Sequence, residues 1–65
     1  MTPSEEKVLD YITKHYAKFG VSPSNRATAD VIGMSRQNVD KIVNKLIVKG
    51  YLTKPRKGCL VPVDK

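Results

Sequence analysis

Ser35-Arg36-Gln37-Asn38-Val39-Asp40-Lys41-Ile42-Val43-Asn44-Lys45-Leu46-Ile47-Val48-Lys49-Gly50 is the stretch on which the fold turns. Ser35 suits a helix N-cap and Gly50 a helix stop, and Val39, Ile42, Val43 and Leu46 recur at the spacing of one helical face. With Val39 at 0° and about 100° per residue, the apolar set falls near 0°, 300°, 40° and 340°; Gln37, Lys41 and Asn44 fall near 160°, 200° and 140°. One face therefore seeks a core, and the other is polar and positively charged. A helix over 36–49 with this outer face is what a DNA recognition helix requires.

Around it, 65 residues with 40% hydrophobic and 28% charged content make one small globular domain. The longest apolar runs, Leu46-Ile47-Val48 and Cys59-Leu60-Val61, are too short to cross a membrane. Met1 to Glu6 carries neither a basic nor an apolar leader pattern, from which a cytoplasmic location is expected. A lone cysteine, Cys59, agrees with a reducing compartment and reads as a buried, inert thiol. The net charge of +6 is unevenly placed. Residues 1–34 hold four cations against four carboxylates, whereas residues 35–65 hold eight against two. All of the excess sits in the half that contains the quoted stretch, the footprint of a polyanion-binding face; the plainer reading is a basic surface kept for solubility.

Upstream, Thr2-Pro3-Ser4-Glu5 reads as a capping box with proline in the first turn, opening a helix over about 3–19 that Gly20 ends. Val8, Leu9, Ile12, Tyr16 and Phe19 share its inward arc, while Asp10, Thr13, Lys14 and Ala17 face out. His15 also falls inward and is expected to be partly buried and hydrogen-bonded. Val21-Ser22-Pro23 is an extended link. Ser24 caps a second helix over about 25–32, with Ala29 and Ile32 as a thin apolar stripe, and Gly33-Met34-Ser35 turns tightly into the third, Met34 pointing inward. Helix, short glycine turn and longer helix with a polar outer face form a helix-turn-helix pattern, although a purely structural helical corner has the same outline.

After Gly50 the period changes to about 2. Tyr51 to Lys54 and Cys59 to Val63 read as strands joined by a four-residue loop, Pro55-Arg56-Lys57-Gly58, whose tip is cationic. Pro62 marks an edge strand or one paired only along its first part. The fold class expected is α+β, mainly α: a three-helix winged helix-turn-helix with a C-terminal two-stranded hairpin wing over 51–63, one domain across 1–65.

Residues in this order resemble a known family. Thr2-Pro3, Val8-Leu9-Asp10-Tyr11-Ile12, His15, Gly20, Pro23-Ser24, Ala29, Ile32-Gly33, Ser35, Leu46 and Lys49-Gly50 are similar, nearly in register over residues 2 to 63, to the DNA-binding domain of the LexA-type repressors. Winged helices of the MarR type share part of this pattern. The resemblance implies that Ser35, Arg36, Gln37, Asn38, Asp40 and Lys41 face base edges and flanking phosphates in the major groove, with Lys54, Arg56 and Lys57 along the backbone or in the minor groove. It implies a bacterial or bacteriophage origin, association with the nucleoid, and action in pairs. The chain ends where the family's self-cleaving domain would begin, so a stand-alone domain is expected, as a weak monomer, a cooperative binder on tandem sites or a homodimer. Two further departures are Thr28, where the family carries a large aliphatic, and Val48, an apolar residue on the outer face and a candidate contact for a partner chain.

The expected mechanism divides the labour. Ser24 and Asn25 at one helix start, Ser35 and Arg36 at the other, and Asn44, Lys45, Lys54, Arg56 and Lys57 would hold phosphates. Arg36 can bridge guanine, Gln37 or Asn38 adenine, and Asp40 can accept from cytosine. Arg36 and Asp40, four apart, can equally pair with each other, and Asn38 can simply flank the groove. The partner expected is double-stranded DNA; the alternative is a winged helix docking an acidic protein in a replication, recombination or transcription complex. No cofactor is expected. An enzyme is not expected either, because there is no carboxylate pair, glycine-rich phosphate loop, metal-ligand spacing or partnered nucleophile.

Overall fold

A computed structural model describes residues 2–56 and 59–63. The order is α1 (Pro3–Phe19), α2 (Asn25–Ile32), α3 (Arg36–Lys49), β1 (Leu52–Arg56) and β2 (Cys59–Pro62), with the strands paired antiparallel. This is the expected three-helix architecture with a C-terminal hairpin.

Each helix begins on a side-chain cap that relieves an otherwise unpaired backbone N–H. The Oγ atoms of Thr2, Ser24 and Ser35 accept from the N–H groups of Glu5, Ala27 and Asn38 at 3.3, 3.1 and 3.2 Å. The helix ends are set by glycine where the turn needs it most. Gly33 (φ 84°) adopts the left-handed conformation that lets Met34 N–H reach the Ala29 carbonyl at 3.1 Å, closing the corner between α2 and α3. Gly50 (φ 86°) does the same for α3: Gly50 N–H bonds Ile47 O and Tyr51 N–H bonds Leu46 O. Tyr51 then leads directly into the wing, and its carbonyl accepts from Val63 N–H at 2.9 Å.

The core is one cluster drawn from every element: Val8 and Ile12 of α1, Ala29 of α2, Val39, Val43 and Leu46 of α3, Leu52 of β1 and Leu60 of β2. Leu9, Ile32, Met34, Ile42, Ile47 and Tyr51 pack around it. Ile47 thus lies on the core flank, whereas its neighbour Val48 is exposed. Phe19, expected inward, is 59% exposed. It closes the last turn of α1, and its ring leans on His15 at 4.6 Å instead of entering the core. His15 is half-buried and hydrogen-bonds the Val21 carbonyl through Nδ1 at 2.7 Å, as expected. Thr28 is fully buried, and its hydroxyl donates to the Ser24 carbonyl at 2.9 Å. That bond back along the helix satisfies the hydroxyl where an aliphatic would otherwise sit.

The wing differs from the expected hairpin. β1 runs on through Pro55 to Arg56, and the pairing Leu52 with Pro62, Thr53 with Val61 and Arg56 with Cys59 contains a register shift between Thr53 and Arg56. The extra residue on β1 is a bulge, which explains how proline, with no N–H to donate, is carried inside a strand. The expected positions of Lys57 and Gly58 at the loop tip, and the side chain of Cys59, lie outside the described residues. Leu60 N–H donates to Ser22 Oγ at 3.2 Å, tying the wing to the link before α2. No helix among the described residues is long and apolar enough to cross a membrane.

Glu5 does more than cap. Its carboxylate accepts from Thr2 N–H at 3.0 Å, is 4% exposed, and lies 3.6 Å from Lys49 Nζ at the far end of α3. The Thr2 N–H lowers its pKa below the ordinary 4.5, burial opposes this, and the charges of Lys49 and Lys45 lower it further. A carboxyl whose folded pKa is depressed contributes stability that is whole above 4.5 and is lost as pH falls through the lower folded value. Thermal melts across that acid range should show the wild type losing more stability than Glu5→Gln; parallel losses would exclude Glu5 as a source of the acid sensitivity.

Candidate nucleic-acid interface

The outer face of α3 is built by what its inner face buries. With Val39, Val43 and Leu46 in the core, Arg36, Gln37, Asn38, Lys41, Asn44 and Lys45 are all exposed. Ser35 is exposed at the cap, so the first turn of α3 is open to solvent. Lys54 and Arg56 are exposed on β1. Lys57 lies outside the described residues.

Between these parts runs a groove of about 660 Å3 whose lining includes Ser24, Asn25, Arg26, Arg36, Asn44 and Lys54. Its floor includes Pro23, Val43 and Leu60, and Ser22 and Asp40 complete it. Three elements thus each contribute a cation: α2 gives Arg26, α3 gives Arg36 and β1 gives Lys54. The described ion pairs are Lys14 with Asp10 and Lys49 with Glu5, so the groove's three cations are unpaired among the described residues. Such unneutralised positive charge facing one groove attracts an anion with closely spaced charges.

Two of the expected contact residues are engaged with each other. The Asn25 side-chain amide donates to Asp40 Oδ1, joining the start of α2 to the second turn of α3, and both residues are half-buried. Asp40 does not pair with Arg36, although the spacing permits it. Lys49, part of the cationic half by sequence, is drawn to Glu5 and away from the groove. Arg26 is the residue that the pattern missed. The available signal was a cation in the first turn of a helix without an acidic residue there, against the preference of the helix dipole. Val48 stands 87% exposed, and with Asn44, Lys45 and Lys49 it borders a second, shallower hollow of about 310 Å3.

Three helices in a helix-turn-helix arrangement with a β-hairpin behind the third define a winged helix. The sequence comparison agrees: the chain is 33% identical over 59 residues to the LexA repressor of Magnetococcus marinus (strain ATCC BAA-1437 / JCM 17883 / MC-1), across 89% of this chain. It spans about a quarter (26%) of that repressor's length. No family model matches the sequence.

Proposed function

We propose that this protein binds double-stranded DNA sequence-specifically, as the DNA-reading part of a transcriptional regulator of the repressor kind. The observation that carries the reading is the convergence of Arg26, Arg36 and Lys54, from three elements, on a groove that adjoins the exposed polar face of α3. A phosphodiester backbone between a major groove holding α3 and a minor groove meeting the wing would run along that groove. Ser24, Asn44 and Lys45 flank the same path, and Arg56 extends it along the wing. Arg36 has the fork to bridge guanine O6 and N7, and Gln37 or Asn38 can bridge adenine N6 and N7. Lys41 and Ser35 stand beside them with donors for base edges or phosphates. The kinship with a LexA repressor supports the same reading.

Selection of bound duplexes from a random pool tests it. A defined consensus is expected, and its two-fold or tandem symmetry gives the number of copies on DNA. Arg36→Ala should then cost about tenfold or more in affinity for the consensus while leaving the fold intact. Failure of the wild type to enrich any sequence would sink the proposal. The exposure of Val48 above a cation-flanked hollow favours one other reading, an adaptor docking an acidic protein; it requires saturable protein binding without retention of any duplex.

A further inference from the structure

The Asn25 to Asp40 hydrogen bond changes what Asp40 can do. Asp40 is the only carboxylate on α3. By residue type it is the natural acceptor for a cytosine amino group, and a free carboxylate there would also repel phosphate. In the fold it is half-buried on the groove side of the helix, near 100° on the scale with Val39 at 0°, whereas Gln37, Lys41 and Val48 lie at about 160–200°. One of its oxygens is occupied by the Asn25 amide. Asn25 is the first residue of α2, and Asp40 lies just over one turn into α3. The bond therefore spans the open side of the angle whose apex is the Gly33-Met34-Ser35 turn. A link there acts as a strut, because a small change in the angle between α2 and α3 displaces its ends far more than it displaces the apex.

We propose that Asp40 sets base specificity as a positioning residue, without touching a base: the strut fixes the angle at which α3 is presented. The base edges are then read by donors and amides alone, those of Arg36, Gln37, Asn38 and Lys41. Neither Arg26 nor Arg36 has a carboxylate partner among the described residues, so Arg26 is available to phosphate while Arg36 reads a base. This assignment rests on the DNA reading above and adds a geometric requirement to it.

Three variants separate positioning from direct reading. Asp40→Asn keeps an acceptor for the Asn25 amide and removes the charge. Asp40→Ala and Asn25→Ala each break the strut. Selection from a random duplex pool should return the wild-type consensus for Asp40→Asn. For Asp40→Ala and Asn25→Ala, discrimination should fall about tenfold, spread over several adjacent positions because the whole helix shifts. In melting experiments the double variant Asn25→Ala/Asp40→Ala should lose less than the sum of the two single losses, with Asp40→Asn close to wild type. Loss of preference at a single base pair in Asp40→Asn, with Asn25→Ala unchanged, would make Asp40 a direct reader and overturn the proposal. An unaltered consensus in all three variants would overturn it too. A wild type that selects no sequence overturns the DNA reading itself and this assignment with it, while the melting cycle still reports whether the strut forms.

Discussion

Duplex affinity should fall about a thousandfold when salt is raised from about 50 to about 200 mM. Each cation seated on a phosphate displaces condensed counterions, and the cost of displacing them rises with bulk salt. If Arg26, Lys41, Lys45, Lys54, Arg56 and Lys57 all meet phosphates while Arg36 reads a base, log K against log salt has a slope of about −5. Arg26, Lys41, Lys45, Lys54 and Arg56 are exposed, and no described ion pair holds any of them. Lys49 is excluded from the count because it is committed to Glu5. Arg26→Ala should make the slope shallower by about 1, as should Lys54→Ala. Fluorescence anisotropy on a labelled duplex at several salt concentrations measures all of these. A wild-type slope shallower than about −2 would mean that most of these side chains do not touch the backbone.

Leu46→Ala should bring the domain close to unfolding at ambient temperature. Leu46 is fully buried in a cluster to which every element contributes, and α3 packs against α1, α2 and β1, so its truncation opens a cavity in the shared core. Such a change costs about 2–5 kcal/mol. A chain of this size holds a total stability of roughly 3–10 kcal/mol, so that loss is a large share of the whole. A fall in Tm of about 10–25 °C, followed by circular dichroism, is expected. Val48→Ala, one turn-fraction away on the exposed face, should change stability by less than about 0.5 kcal/mol. Similar melts for the two variants would contradict the orientation of α3 and, with it, the face offered to DNA.

The helices were legible because their signals are local. Capping by Thr2, Ser24 and Ser35, stops at Gly20, Gly33 and Gly50, and apolar spacing along 36–49 depend only on residues within a turn or two. They determine where each helix begins, ends and faces. The resemblance to the LexA-type domain came from the same residues. The wing was read less well, because strand register depends on the partner strand: nothing within Thr53-Lys54-Pro55-Arg56 reveals that a bulge will carry the proline through. Phe19 was misplaced for a related reason. It has the right period for the core, but at the end of α1 the other elements leave it at the surface.

The site divides along the same line. Sequence by itself determined which face of α3 is polar, that the excess positive charge lies in the second half, and that a hairpin follows, since these are properties of neighbours along the chain and of side-chain chemistry. Only the tertiary structure decided how that chemistry is allotted. Glu5 takes Lys49 out of the cationic face although the two are 44 residues apart. Asn25 takes one oxygen of Asp40 across the helical corner. Arg26, unremarkable within the neutral first half, joins Arg36 and Lys54 on one groove. A charged side chain acts on whatever lies within a few ångströms of it, and for these residues the chain reaches that distance only by folding.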